Sequence, residues 1–219
     1  MDAALLLLAD SRLPAGGHAH SGGLETAAAT GAVRDLDTLA DFLRGRLATA
    51  GLVAAGLAAA ACASHLAGET GWARLDAEAD ARTPSPAQRQ AARAQGRALL
   101  RVARTAWPDP VFDTPAGTAP HHPIVLGVVV AVAGGTPERA AEIAAYGSVT
   151  GPASAAVRLL GLDPIGAQGV LAGLTARIDA VAAEAALAVR EGAPPAASAP
   201  ALDLFAELHQ RADLRLFES

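Results

Sequence analysis

DLDTLADFLRGRLATAGLVAAGLAAAACASHLAG, Asp35 to Gly68, opens on a helix-capping type of residue and closes on a helix-stopping one. Leu36, Leu39, Leu43 and Leu47 recur at three- and four-residue steps, the period of one helix face. Asp35 or Asp37 is placed to cap a long helix, which the spacing predicts to about Ala63. From Leu47 to Gly68 there is no Asp, Glu, Lys or Arg, so the second half of this helix has no polar face to offer water. A helix that is apolar all round belongs inside a fold or a membrane. The abundant alanine and glycine, with Ser64 and His65 among them, favour a protein core, where small side chains let helices approach closely.

The rest of the chain repeats this helical grammar. Leu5 to Leu8 predicts a first helix buried on every side, ended by Pro14, which disfavours helical geometry at Leu13. Ser21 is a candidate cap for a short helix from Gly22 to about Thr30, stopped by Gly31, with Glu25 in the first turn where the helix dipole favours a carboxylate. A further helix is expected over roughly His65 to Ala81, and another from Ala87 to Ala106 after Pro86. Trp107 to Pro123 reads as a loop, Ile124 to Ala133 as a buried helix, and Gly134-Gly135 as its stop. Thr136-Pro137-Glu138 starts a helix to about Val149, Gly151-Pro152 begins another ending near Gly161, and Asp163-Pro164 caps a long one to about Val189. No segment sustains a two-residue alternation, so the fold class is all-α: one domain, a helical bundle of about eight to ten helices. Ala193 to Ala201, APPAASAPA, reads as a flexible linker near 192–201, followed by a tail, 202–219, with an apolar stripe at Leu204, Phe205, Leu208, Ala212 and Leu216.

Composition excludes several chemistries. All 17 basic residues are arginine, so no Walker A lysine, Schiff-base lysine or pyridoxal anchor exists in these 219 residues. A net charge of -5 argues against nucleic acid as a partner. Arg89, Arg93, Arg97, Arg101 and Arg104 fall within roughly 120° of one helix face, either a solvated surface or a dock for an acidic partner. Cys62 stands alone among alanines, so neither an intrachain disulfide nor a cysteine zinc site can form. The N-terminus lacks the basic start of a secretory signal, and the ten apolar residues of Ile124 to Ala133 are too short to span a membrane, so a cytoplasmic protein is expected.

DSRLPAGGHAHSGGLE, Asp10 to Glu25, is the stretch richest in possible chemistry. His18-Ala19-His20 places two imidazoles at alternate positions, which could share a face toward a metal or could serve only as turn residues; His121-His122 could complete such a site. Ser21 lies in HSGG, not in the GxSxG of a nucleophile elbow. The residues alone leave three readings open: a binding scaffold, a small histidine metalloenzyme, or a helical interaction module.

The segment LLLLADSRLPAGGHAHSGGLETAAATGAV, Leu5 to Val33, resembles the N-terminal signature of the UreF family of urease accessory proteins, approximately LLxLxDSxxPxGxxxHSxGLE. The resemblance continues through the His122-Pro123 loop and the apolar helix after it, Tyr146, VRLLGLDPIGAQ at 157–168, and the chain end HQRADLRLFES. His18 stands where the family usually has Phe or Tyr, and Asp213 where the tail commonly has an aromatic residue. The resemblance implies a non-enzymatic all-α chaperone that forms a homodimer and binds the accessory protein UreD, also called UreH. Together they would recruit the GTPase UreG and deliver nickel to apo-urease as GTP is hydrolysed. It further implies that His209, Arg215, Leu216 and Phe217 belong to a tail that engages UreD, and that Tyr146, Arg158 and Gln168 lie near the surface facing a partner or the GTPase. His20, with His18, becomes a transient nickel ligand, and no tightly bound cofactor is implied.

Overall fold

The computed structural model describes residues 3–69, 72–113 and 119–217. Ten α-helices account for most of them: α1 (Ala3–Ala9), α2 (Leu24–Ala29), α3 (Leu36–Arg46), α4 (Leu52–Leu66), α5 (Ala73–Ala81), α6 (Pro86–Ala106), α7 (His122–Val132), α8 (Pro137–Leu160), α9 (Pro164–Arg190) and α10 (Pro200–Gln210). There is no strand element among the described residues, so the all-α expectation holds.

The segment that decides the fold is its axis. Asp35 caps α3 by accepting the Thr38 N–H at 2.9 Å, and the Thr38 hydroxyl accepts the Asp35 N–H at 3.1 Å. Such a reciprocal cap is worth about 1 kcal/mol. A π-helical turn, Leu47–Gly51, joins α3 to α4, making one continuous helix from Leu36 to Leu66. By length and composition this helix could cross a membrane, but 67% of its most apolar window is buried inside the protein. Around α4 lie α7, α8 and α9. Small residues set the spacing: a Cβ on Gly127 of α7 would stand 2.1 Å from the carbonyl oxygen of Ala58, so the two backbones meet where only glycine fits. Val125, Val128, Val129, Leu57 and Val149 fill the surrounding space and are buried. Each such side chain contributes roughly 1.5–3 kcal/mol of burial.

Several local expectations change. Leu5 and Leu8 of α1 are buried while Leu6 and Leu7 are 54% exposed, so this helix is one-sided because it covers the bundle instead of entering it. The second helix begins at Leu24, with Gly22 and Gly23 at φ 61° and 90°. Ser21 lies outside its first turn but still holds it, accepting the Glu25 N–H at 3.3 Å. The stretch expected to be helical from His65 to Ala81 divides into the end of α4 and α5, because Gly68 turns the chain at φ 75°. Within Trp107 to Pro123, residues Pro110–Asp113 form a short 3-10 turn, and 114–118 lie outside the described residues. The arginine face of α6 is largely spent on structure: Arg93 bridges Asp76 at 2.8 Å and Asp80 at 2.9 Å, and Arg104 donates to the Phe112 carbonyl, leaving Arg97 and Arg101 exposed.

The largest correction concerns α8. A helix boundary was expected at Gly151-Pro152, yet α8 runs unbroken from Pro137 to Leu160 with Pro152 inside and buried. Proline has no N–H, so the carbonyl of Ser148, four residues earlier, loses its helical partner. Arg46 supplies the replacement, its Nε–H donating to that oxygen at 2.8 Å. The 193–201 stretch is likewise fixed by side chains far away: Arg82 donates to the carbonyls of Pro194 and Pro195 at 3.1 and 3.0 Å. Pro195 lies directly over Gly56, where a Cβ would stand 2.2 Å from its ring.

Candidate functional site: a histidine-lined cavity beside a latched tail

The glycine-rich joint before α2 and the bundle face formed by α4, α6, α7 and α8, with α10 above them, enclose a cavity of about 580 Å³. His20, Arg46, Arg82, His121, His122 and Arg158 are among its lining residues. The two histidine-bearing stretches, a hundred residues apart in sequence, therefore open onto one space.

Their environments differ. His121 is 2% exposed and locked. Its backbone N–H donates to Asp76 at 3.0 Å and its Nε2 lies 2.8 Å from the Asp80 carboxylate. Burial raises the Asp80 pKa, but the bonds from His121 and Arg93 outweigh it and hold the carboxyl below its ordinary value. Burial, reinforced by the nearby His20, pushes His122 down to about 4, so this imidazole is neutral near pH 7 and can offer a lone pair to a metal ion. His20 is 9% exposed and lines the same space. The side chain of His18 lies outside the described part of the structure. Among the described residues, no three His, Cys, Asp or Glu side chains converge on one point as a tight metal site would require. Cys62 is buried and its thiol is pushed up to about 12 by burial and by Glu138, which leaves it unreactive at neutral pH. Ser21 is fully buried and engaged with α2, the opposite of an activated nucleophile.

Beside the cavity, the chain's end folds back onto its beginning. Glu25 is the anchor: the carboxylate accepts the Leu216 N–H at 2.8 Å and the Phe217 N–H at 3.0 Å, and lies 2.8 Å from His209 Nε2. Burial raises its pKa, but the bonds from Leu216, His209 and Phe217 together outweigh that, and the carboxyl sits below its ordinary value. Phe217 is buried under the Arg158 guanidinium, 4.3 Å from the ring centroid. The Thr26 hydroxyl donates to the Phe205 carbonyl, and Glu207 accepts from the Ser85 hydroxyl and the Ala87 N–H. This seating leaves Leu204, Leu208, Leu214 and Leu216 at 64%, 52%, 92% and 80% exposure. Of the residues singled out in the sequence, His209 and Phe217 face inward, Arg215 and Leu216 outward, and Arg158 meets the tail. Tyr146 is 44% exposed on α8 and Gln168 is exposed on α9.

A UreF family model matches residues 33–175. The chain belongs to the UreF family. It is 48% identical over 215 residues to the urease accessory protein UreF of Mycobacterium sp. (strain JLS), covering 98% of this chain and 97% of that protein. It is 46% identical over 220 residues to the UreF of Mycolicibacterium vanbaalenii, covering 99% and 98%. Against the UreF of Mycobacterium tuberculosis (strain ATCC 25618 / H37Rv) the identity is 44% over 217 residues, with the same coverage. The family model thus covers the bundle, whereas the likeness to whole UreF proteins extends over both ends that meet at Glu25.

Two residues of this UreF-family chain escaped the sequence reading. Locally, Glu25 is a first-turn acid and nothing more; its role depends on residues 184 to 192 positions away, for which no local signal exists. Arg46 did leave a trace, since a proline inside an otherwise helical run announces an orphan carbonyl four residues earlier that needs a donor from elsewhere.

Proposed function

We propose that this chain is a non-enzymatic scaffold for urease maturation, acting in the cytoplasm as a homodimer and handing nickel toward apo-urease. The observation that carries this reading is the likeness to urease accessory proteins over 98% of the chain, which includes both the glycine-rich joint and the tail. In this reading the UreD-type partner, also called UreH, is captured by α10 and the tail. Glu25, His209 and Phe217 set the backbone in place, and Arg215, Leu216 and the outward leucines meet the partner. A row of exposed leucines held on a polar anchor has the makeup of a partner surface. The UreG-type GTPase, which brings the P-loop this lysine-free chain lacks, approaches the surface carrying Tyr146, Arg158 and Gln168.

Nickel is cargo here, not a resident cofactor. His20 and the neutral His122 line the cavity and can offer nitrogen ligands in passing, with His18 as a further candidate. Among the described residues no third His, Cys, Asp or Glu joins them, which suits weak, exchangeable binding, as a relay requires. Co-purification from cells expressing a complete urease operon tests the scaffold: deletion of 212–219 should abolish capture of the UreD-type protein. Undiminished capture by the truncated chain would overturn the tail assignment. Replacing His20 and His122 by alanine should slow urease activation while leaving partner capture intact.

A further inference from the structure

Arg46 is the last residue of α3, at the start of the π turn, and its guanidinium forms part of the cavity wall. Nε–H donates to the Ser148 carbonyl at 2.8 Å and Nη1–H to the Gly22 carbonyl at 2.7 Å. Both acceptors are neutral, and no carboxylate of a described residue pairs with this cation. Guanidinium has five N–H groups, so the Nη2 pair and the second Nη1–H remain after these two bonds. Burial pulls the Arg46 pKa down to about 10, which still leaves it charged at neutral pH.

The other charged groups of the wall are engaged elsewhere. Asp10 is held by Arg12 at 2.6 Å, Arg82 pairs with Glu78, Asp203 accepts the Ser85 N–H, and Arg158 covers Phe217. A desolvated cation without a counter-charge is costly, typically several kcal/mol after relaxation. The open edge of the fork offers two parallel donors, the geometry that matches the two oxygens of a carboxylate.

We propose that the cavity binds one small planar monoanion, of the formate, acetate or bicarbonate class, in bidentate contact with Arg46. The single fork is what selects a small monoanion: Arg46 brings one positive charge and one edge of donors, which one carboxylate-type group matches. Leu8, Val53, Leu57 and Leu126 contribute apolar wall to the same cavity, which lowers the local dielectric and strengthens a charged pair relative to open water. This site stands without the nickel reading. If the cavity also passes nickel, the anion cancels a positive charge that would repel the metal, and that consequence alone rests on the proposed function.

The test uses the full chain with no nickel present. Line broadening of carbon-13 formate should saturate with protein concentration, and sodium formate should raise the melting temperature above that in sodium chloride at equal ionic strength. Arg46→Lys keeps the charge but loses the fork and should weaken formate binding at least about tenfold, whereas Arg44→Gln, on the exposed side of α3, should leave it unchanged. In a Pro152→Ala background the Ser148 carbonyl regains a helical donor, so Arg46→Lys can be read there in the same way if the single variant does not fold. Absence of saturable formate binding to the unaltered chain, or an equal affinity in the folded Arg46→Lys variant, overturns the site. Neither result bears on capture of a urease accessory partner.

Discussion

The α4–α7 contact and the α10–tail attachment are held by opposite means. At α4–α7 the backbones themselves touch, with glycine and alanine opposite one another and valines filling the flanks. The tail is held by a few polar anchors, chiefly Glu25, Glu207 and Thr26, while most of its leucines stay in water. A close-packed contact fails when an atom is added to it, whereas an anchored segment fails when one acceptor is removed. The first kind of contact suits a permanent frame, and the second a segment that must meet a partner.

Gly127→Ala should break the frame most severely. Its Cβ would collide with the Ala58 carbonyl at 2.1 Å, and separating the helices should cost about 3 kcal/mol, read as a lower denaturation midpoint. Arg46→Met comes next, on the order of 2–3 kcal/mol, since it strands two carbonyl oxygens. A double-mutant cycle with Pro152→Ala should recover part of that loss, because the helix then supplies its own donor to Ser148. Full additivity of the two changes would show that Arg46 does not compensate for the proline.

Glu25→Gln should act on the tail alone. Loss of the charge weakens three contacts by about 1–2 kcal/mol in total docking strength, so hydrogen exchange at 209–217 should rise while the global midpoint hardly moves. Acidification offers a gentler version of that break. The folded Glu25 pKa lies below the ordinary 4.5, so its contribution is complete above that value and is lost as pH falls through the lower one. The protection factors of Leu216 and Phe217, taken relative to the intrinsic exchange rate at each pH, should therefore hold at pH values above 4.5 and fall as pH is lowered below it, ahead of those of the bundle. The smallest effect belongs to Gly169→Ala on the exposed face of α9, where nothing lies within 4 Å of the added methyl. It should stabilise by about 0.5–1 kcal/mol, the reverse of Gly127→Ala, and a melting curve of each separates helix propensity from close packing.

The sequence by itself determined the helical class, the charge-free second half of the axis helix and most of the caps. Asp35, Thr136 and Asp163 do cap α3, α8 and α9, and Pro86 does open α6, because capping joins groups within a few residues and needs nothing from the rest of the fold. Motif order along the chain also pointed to the UreF family, since it records ancestry and not geometry. Only the tertiary structure decided that Pro152 sits within a helix, that His20 and His122 share a cavity, and that Glu25 gathers the tail. Each depends on a partner more than a hundred residues away: Arg46 for the Ser148 carbonyl, α7 for the glycine-rich joint, and His209 for Glu25. A buried carbonyl, imidazole or carboxylate states in the sequence that it needs a partner; which one it receives is settled when the helices close.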